Sequence, residues 1–175
     1  MRKVAVARCA FVVLTLSMIA ASGADKTVTD KDFGFQIVFP LSWAVLEKNS
    51  EDAIATGAYS SKDGRPSVTV KVYSIKEGIT ANDFFKSRFG NIFFWRETGE
   101  AKVGNMTAYK AVHEVTQTPG DGWDADLEDL TEIIYCIVAG KRGYVITSSY
   151  EKHAHDKYAK DIDAIVKSFK LIEAK

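Results

Sequence analysis

The chain has little cysteine, little histidine and no excess of either charge. Of its 2 cysteines, Cys9 lies in an N-terminal segment expected to be removed, so Cys136 is left without an intrachain partner and no disulfide framework can form. Stability must come from packing. Cys136 sits in the apolar run "TEIIYCIVAG", where a thiol is expected to be a small buried hydrophobe, because reactive cysteines need a polar, electropositive neighbourhood. The 3 histidines, His113, His153 and His155, leave few candidates for acid–base or metal chemistry. The 23 Lys and Arg balance 23 Asp and Glu, which excludes the concentrated basic surface of a nucleic-acid binder. Also missing are Gly-x-Ser-x-Gly, a phosphate loop and Gly-x-Gly-x-x-Gly. Ser148 and Ser149 lie near histidines in sequence, but their spacing defines no nucleophilic triad. There is no internal repeat and no low-complexity tract.

What is present begins with an address. Arg2, Lys3 and Arg8 precede the uncharged apolar run "CAFVVLTLSMIAA", and the small residues of "ASGAD" follow. That is the layout of a secretory signal peptide over residues 1–24, with cleavage expected after Gly23 or Ala24. The run is short for a membrane span, which takes roughly 20 residues. No cysteine stands just after the cleavage point, so no lipid anchor is expected. Three basic residues leave with the signal, so residues 25–175 carry 20 basic against 23 acidic residues. A chain of that length forms one domain with a proper core.

The remainder alternates between two periods. "DFGFQIVF" places Phe33, Phe35, Ile37 and Phe39 on one side of a strand that Pro40 ends. "LSWAVLEKN" and "AIATGAYSS" read as further strands, and "SVTVKVYSI" puts Val68, Val70 and Val72 on one face. "ITANDFFKSRFGNIFFW" shifts to helical spacing through Phe84, Phe85, Phe89, Ile92 and Phe93, with Thr80 and Asp83 as a capping pair. "GEAKVGNMTAYKAVHEVTQT" is a hairpin turning at Gly104-Asn105, with Tyr109, Ala111, His113 and Val115 on one side. His113 is therefore expected to be a satisfied core histidine, and His113-Glu114 lacks the second histidine of a zinc-protease helix. "TEIIYCIVAG" is apolar on both sides, as befits a central strand covered on both faces. "YVITSSY" returns antiparallel after "GKRG". In "HDKYAKDIDAIVKSF", Tyr158, Ile162, Ile165, Val166 and Phe169 form one stripe of an amphipathic helix. The order is four strands, a helix, four strands, a helix. It predicts an α+β fold with an antiparallel sheet covered by helices.

Several of these stretches resemble the PsbP/DcrB-like domains. "FGFQIVFPLSWAV" is similar to that family's opening strand ending in an aromatic-Pro pair followed by Trp, here Phe39, Pro40 and Trp43. "VGNMTAYKAVHEV" resembles its Gly-x-x-Ala strand start, here Gly104 and Ala108. "GYVITSSYEKHAHDKYAKDIDAIVKSF" resembles its closing strand and helix with a terminal Ser168-Phe169. The resemblance covers nearly all of residues 25–175. It implies an α-β-α sandwich, no enzyme activity and no cofactor, and a role as an accessory, binding or assembly module. Members include an extrinsic photosystem subunit, periplasmic proteins and chaperone-like partners of secreted effectors. The leader differs from a chloroplast transit peptide, and the effector chaperones act in the cytosol. No residue role carries over.

Two constellations remain. His153, His155 and Asp156 could form a metal site if the two histidines shared a strand face. In a helix they diverge by about 200°, and the helical stripe extrapolates back to this point, so a helix start is expected. The second is "GDGWDADLEDLTE". No Lys or Arg falls between Lys110 and Lys141, while Asp121, Asp124, Asp126 and Glu128 cluster with Trp123 among them. Calcium would relieve their repulsion, but the segment fails the EF-hand pattern: no Gly stands at the sixth position from Asp124, and Tyr135 stands where Glu is required. A solvated acidic hairpin tip is favoured, with Trp123 as a partner-binding anchor. The leading expectation is a secreted or periplasmic non-enzymatic binding or assembly module with a protein partner in the cell envelope. The alternative is a calcium-binding protein using residues 121–132. A hydrolase around His113 or the His153/His155 pair is the third.

Overall fold

A computed structural model of the chain describes residues 25–46, 53–59, 66–90, 94–117 and 128–173. The expected leader and residues Asp121, Trp123, Asp124 and Asp126 lie outside them, as do Ile92 and Phe93. Of Glu128 only the backbone is described.

The strands are β1 (Lys26–Asp30), β2 (Phe35–Phe39), β3 (Trp43–Leu46), β4 (Ala53–Tyr59), β5 (Ser67–Ser74), β6 (Trp95–Val103), β7 (Met106–Gln117), β8 (Glu128–Ala139), β9 (Arg142–Glu151) and β10 (Lys170–Leu171). Helix α1 (Ala81–Phe89) follows β5. Helix α2 (His155–Ser168) follows β9 after a 3₁₀ turn at Lys152–Ala154. Seven strands make one sheet in the order β3-β4-β5-β9-β8-β7-β6, and every pairing in it is antiparallel. A second sheet, β1-β2-β10, joins the two ends of the domain. The expected α+β architecture, an antiparallel sheet between helices, is what forms.

Alternation along the central strands divides the core in two. On β9, Tyr144 and Ile146 face one way and Val145 the other. The first side carries β2 and α2, with Phe35, Ile37, Phe39, Ile162, Ile165, Val166 and Phe169 buried against it. The second carries α1, whose Phe84 and Phe85 meet Ala111, Ile134, Cys136 and Val145. β8 is therefore covered on both faces, as its unbroken apolar run required. Two helices on opposite faces of one sheet each bury a stripe that neither could hide alone.

Local chemistry sets the ends of the elements. Thr80 accepts a hydrogen bond from Asp83 N at 3.1 Å, and the Asp83 carboxylate accepts from Thr80 N at 3.3 Å. This capping box begins α1, and the Thr80 contacts hold Asp83 below its usual carboxylate range. The β6–β7 hairpin turns at Gly104-Asn105, with Val103 paired to Met106. Gly104 has φ +55°, and a Cβ there would stand 3.1 Å from the Phe169 carbonyl. Glycine thus serves both the left-handed turn and the close approach of the α2 terminus.

Four expectations change. β1 is a strand that periodicity does not predict: "KTVTD" carries no apolar alternation and lies at an edge, held by backbone pairing to β2. β10 is too short to leave a pattern. The first helix ends at Phe89, where Gly90 N bonds Lys86 O at 2.9 Å, so its stripe is Phe84, Phe85 and Phe89. His113 is half-buried on the α1 side, its ring 5.3 Å from that of Trp95, and so sits at the margin of the core.

Candidate functional site

On the α2 side of the sheet the helix covers only part of the surface. Beyond its first turn, β6, β7, β8 and β9 line an open cleft of about 360 Å³. β7 sends Lys110, Val112 and Glu114 into it, the face opposite Tyr109, Ala111 and His113. β8 supplies Thr131 and Ile133, β9 supplies Tyr150, and the chain leading into α2 supplies Lys152 and His155. The floor is apolar and the rim is charged.

A β-bulge provides the far wall. Trp95 pairs with His113 and Glu97 with Val112, leaving Arg96 as an extra residue in β6. A bulge of this kind re-aims a side chain. Trp95 packs under α1, while Arg96 and Glu97, consecutive in sequence, both line the cleft. Regular alternation would have sent one of them to the other face.

Ion pairs organise the rim. The Glu114 carboxylate accepts a hydrogen bond from Arg96 Nη1 and another from Lys152 Nζ at 3.3 Å. The Arg96 bond, reinforced by Lys152, holds Glu114 below the usual glutamate range against the opposing effect of desolvation. Lys110 Nζ meets Glu97 Oε1 at 3.5 Å. Tyr150 is buried in the floor, and burial, with the Glu114 charge nearby, raises its phenol. The His155 ring lies 5.5 Å from the Tyr150 ring.

The residues singled out in the sequence are dispersed. His153 falls in the 3₁₀ turn, and its Nε2 lies 3.0 Å from Glu151 Oε2. His155 opens α2, with Nδ1 3.1 Å from Asp156 Oδ1. The pair marks a helix start. Among the described residues no three of His, Cys, Asp and Glu gather as a metal set. Cys136 is buried under α1, and desolvation pushes its thiol up to about 12, which keeps it protonated and unreactive. The Ser148 hydroxyl is buried and donates to the Ile133 carbonyl at 3.4 Å. The cleft residues Arg96, Lys110, Tyr150 and Lys152 were missed. Lys110 and Glu114 were legible as the second face of β7. Arg96 gave no signal, because a bulge has no sequence pattern here.

No family model and no curated protein matches the chain. Solved structures match its fold. The cyanobacterial PsbP (CyanoP) of Synechocystis sp. PCC 6803 is 12% identical with a TM-score of 0.57, over 94% of this chain and 98% of that one. LpqN of Mycobacterium tuberculosis, described as involved in cell envelope biogenesis, is 11% identical with a TM-score of 0.54, over 87% and 92%. The Ran-binding protein Mog1p of Saccharomyces cerevisiae is 13% identical with a TM-score of 0.54, over 87% and 97%. A Bacteroides thetaiotaomicron structure has a TM-score of 0.61 at 10% identity, and the match spans about half its length, 48%. The fold is PsbP-like, as the sequence resemblance implied.

Proposed function

We propose that this chain is an exported binding or assembly module that recognises a protein partner in the cell envelope through the β6–β9 cleft. One observation carries the reading: the cleft is an open, charged rim over an apolar floor, and Phe94, 80% exposed, stands immediately before β6, two residues from the cleft residue Arg96. Exposed aromatic side chains beside convergent polar groups are the usual anchors of protein recognition. The fold neighbours lend support, since one is described as Ran-binding and one as involved in envelope biogenesis. The leader-like N-terminus supports export. Among the described residues, Cys136 and Ser148 are buried and His153 and His155 each face a neighbouring carboxylate, which favours binding over catalysis.

The acidic segment belongs to the same proposal. The chain leaves β7 at Gln117 and re-enters β8 at Glu128, paired positions just beyond Glu114. Residues 118–127, with Trp123 among them, connect these two positions in sequence. Trp123 is proposed as a second anchor.

The test is site-specific photocrosslinking in the native envelope fraction. A crosslinker at position 94 is expected to give one discrete adduct, and one at Lys76, beyond β5, none. Absence of an adduct from position 94, or the same adducts from both positions, overturns the proposal.

A further inference from the structure

Glu114 is gripped from two sides by elements that reach it independently. Arg96 comes from the β6 bulge and Lys152 from the turn before α2. Both cations keep capacity. A guanidinium carries five N–H donors and an ammonium three, and each gives one bond to Glu114, while their side chains stay 69% and 54% exposed. Lys110 and Glu97 balance one another across the floor. The cleft lining therefore holds three fixed cations, Arg96, Lys110 and Lys152, against two carboxylates, Glu97 and Glu114. His155, at the same rim, faces its own neighbour Asp156.

We infer that the cleft takes an acidic segment of the partner polypeptide, and that Glu114 holds the place of one of that segment's carboxylates. The inference rests on the cleft being a recognition surface. A carboxylate on a short apolar stem fits the combination present: Val112, Ile133 and the Tyr150 ring beneath, and a guanidinium and an ammonium converging above. Planar carboxylates are bound best by such charge-assisted donors. Glu114 shows the geometry in use within the chain itself. A partner's Glu or Asp enters beside it, on the remaining donors, or displaces it. Glu114 is then an internal competitor that lowers affinity and favours partners able to offer several carboxylates at once.

This gives Glu114 a signature opposite to that of an ordinary structural ion pair. A fluorescein-labelled oligo-glutamate peptide is titrated with the whole chain at low ionic strength and followed by anisotropy. Saturable binding is expected for the wild type. It should be about five-fold tighter for Glu114→Gln and about five-fold weaker for the Arg96→Gln/Lys152→Gln double variant, the size exposed charge pairs allow. Thermal melts establish that each variant is folded. Because the double variant also frees Glu114, Arg96→Lys serves as a second variant that keeps the charge and retains most of the binding. Unchanged or weaker binding by folded Glu114→Gln overturns the competitor role. Equal binding by wild type and double variant, or equal capture of an oligo-lysine peptide, overturns the acidic class. A position-94 adduct without oligo-glutamate binding sinks this inference alone, and loss of both sinks the recognition surface as well.

Discussion

Ser168 closes the domain by reaching Val38, 130 positions earlier in the chain. Its Oγ accepts from Val38 N at 2.9 Å and donates to the Ile165 carbonyl at 2.6 Å. One hydroxyl thus completes both the last turn of α2 and an outward backbone amide of β2. Ser168→Ala leaves that amide without an acceptor, at a cost of about 1–2 kcal/mol. Lys160→Ala, on the wet side of α2, should stay within about 0.5 kcal/mol. Urea unfolding of both variants measures the difference, and equal effects would show that the hydroxyl does not join the two elements.

Gly143 lies directly under Phe84. A Cβ at position 143 would fall 2.5 Å from the Phe84 ring, so the α1 side of β9 must be bare there. Gly143→Ala is expected to lose about 1–3 kcal/mol through overpacking. Pairing it with Phe84→Leu should restore part of that loss, because the two changes share one clash. Additive losses in the double variant would place the strain elsewhere.

Base should destabilise this protein through its buried acids. The Cys136 thiol, ordinarily near 9.0, is pushed up to about 12 by burial. The Tyr135, Tyr144 and Tyr150 phenols are likewise raised above 10.0, mainly by burial. Above pH 9 the unfolded chain releases the cysteine proton while the folded chain keeps it, so stability falls as pH rises toward 12. Denaturant midpoints should drop steadily from pH 9, less steeply in Cys136→Ala. Folded protein should resist a maleimide at pH 8 and react once unfolded. Prompt labelling of the folded chain would contradict the burial.

Export has a mass signature. The chain recovered outside the cytoplasm should begin at Ala24 or Asp25, as intact-mass spectrometry will show. Recovery with Met1 retained would refute the leader.

Calcium decides between the two roles of the acidic segment. With Trp123 acting as an anchor, calcium should leave the melting temperature unchanged, and Trp123→Ala should spare the fold while abolishing partner capture. A saturable rise in stability, about 2.7 kcal/mol at a hundred times the dissociation constant, lost in Asp124→Asn/Asp126→Asn, would establish a metal site instead.

The sequence displayed the core better than the cleft, for a physical reason. Burial imposes periodicity, so Phe35, Ile37 and Phe39 on β2 and Ile162, Ile165 and Val166 on α2 could be assigned to inner faces before any coordinates. β1 was invisible because an edge strand needs only its backbone. The cleft depends on register and on an irregularity: Arg96 and Glu97, consecutive in sequence, both line it because β6 gains a residue between Trp95 and Glu97. Lys152 joins them from a turn that no period describes.

The pairing of β10 with β2, Leu171 opposite Phe35, has a consequence for the order of events during synthesis. The strand that begins the core finds its second neighbour only after α2, and Phe169, stacked 5.6 Å from Phe35, arrives just before it. Contacts of such long sequence separation form late, since their loop must close before they contribute. Until α2 and β10 have been synthesised, β2 lacks this closure.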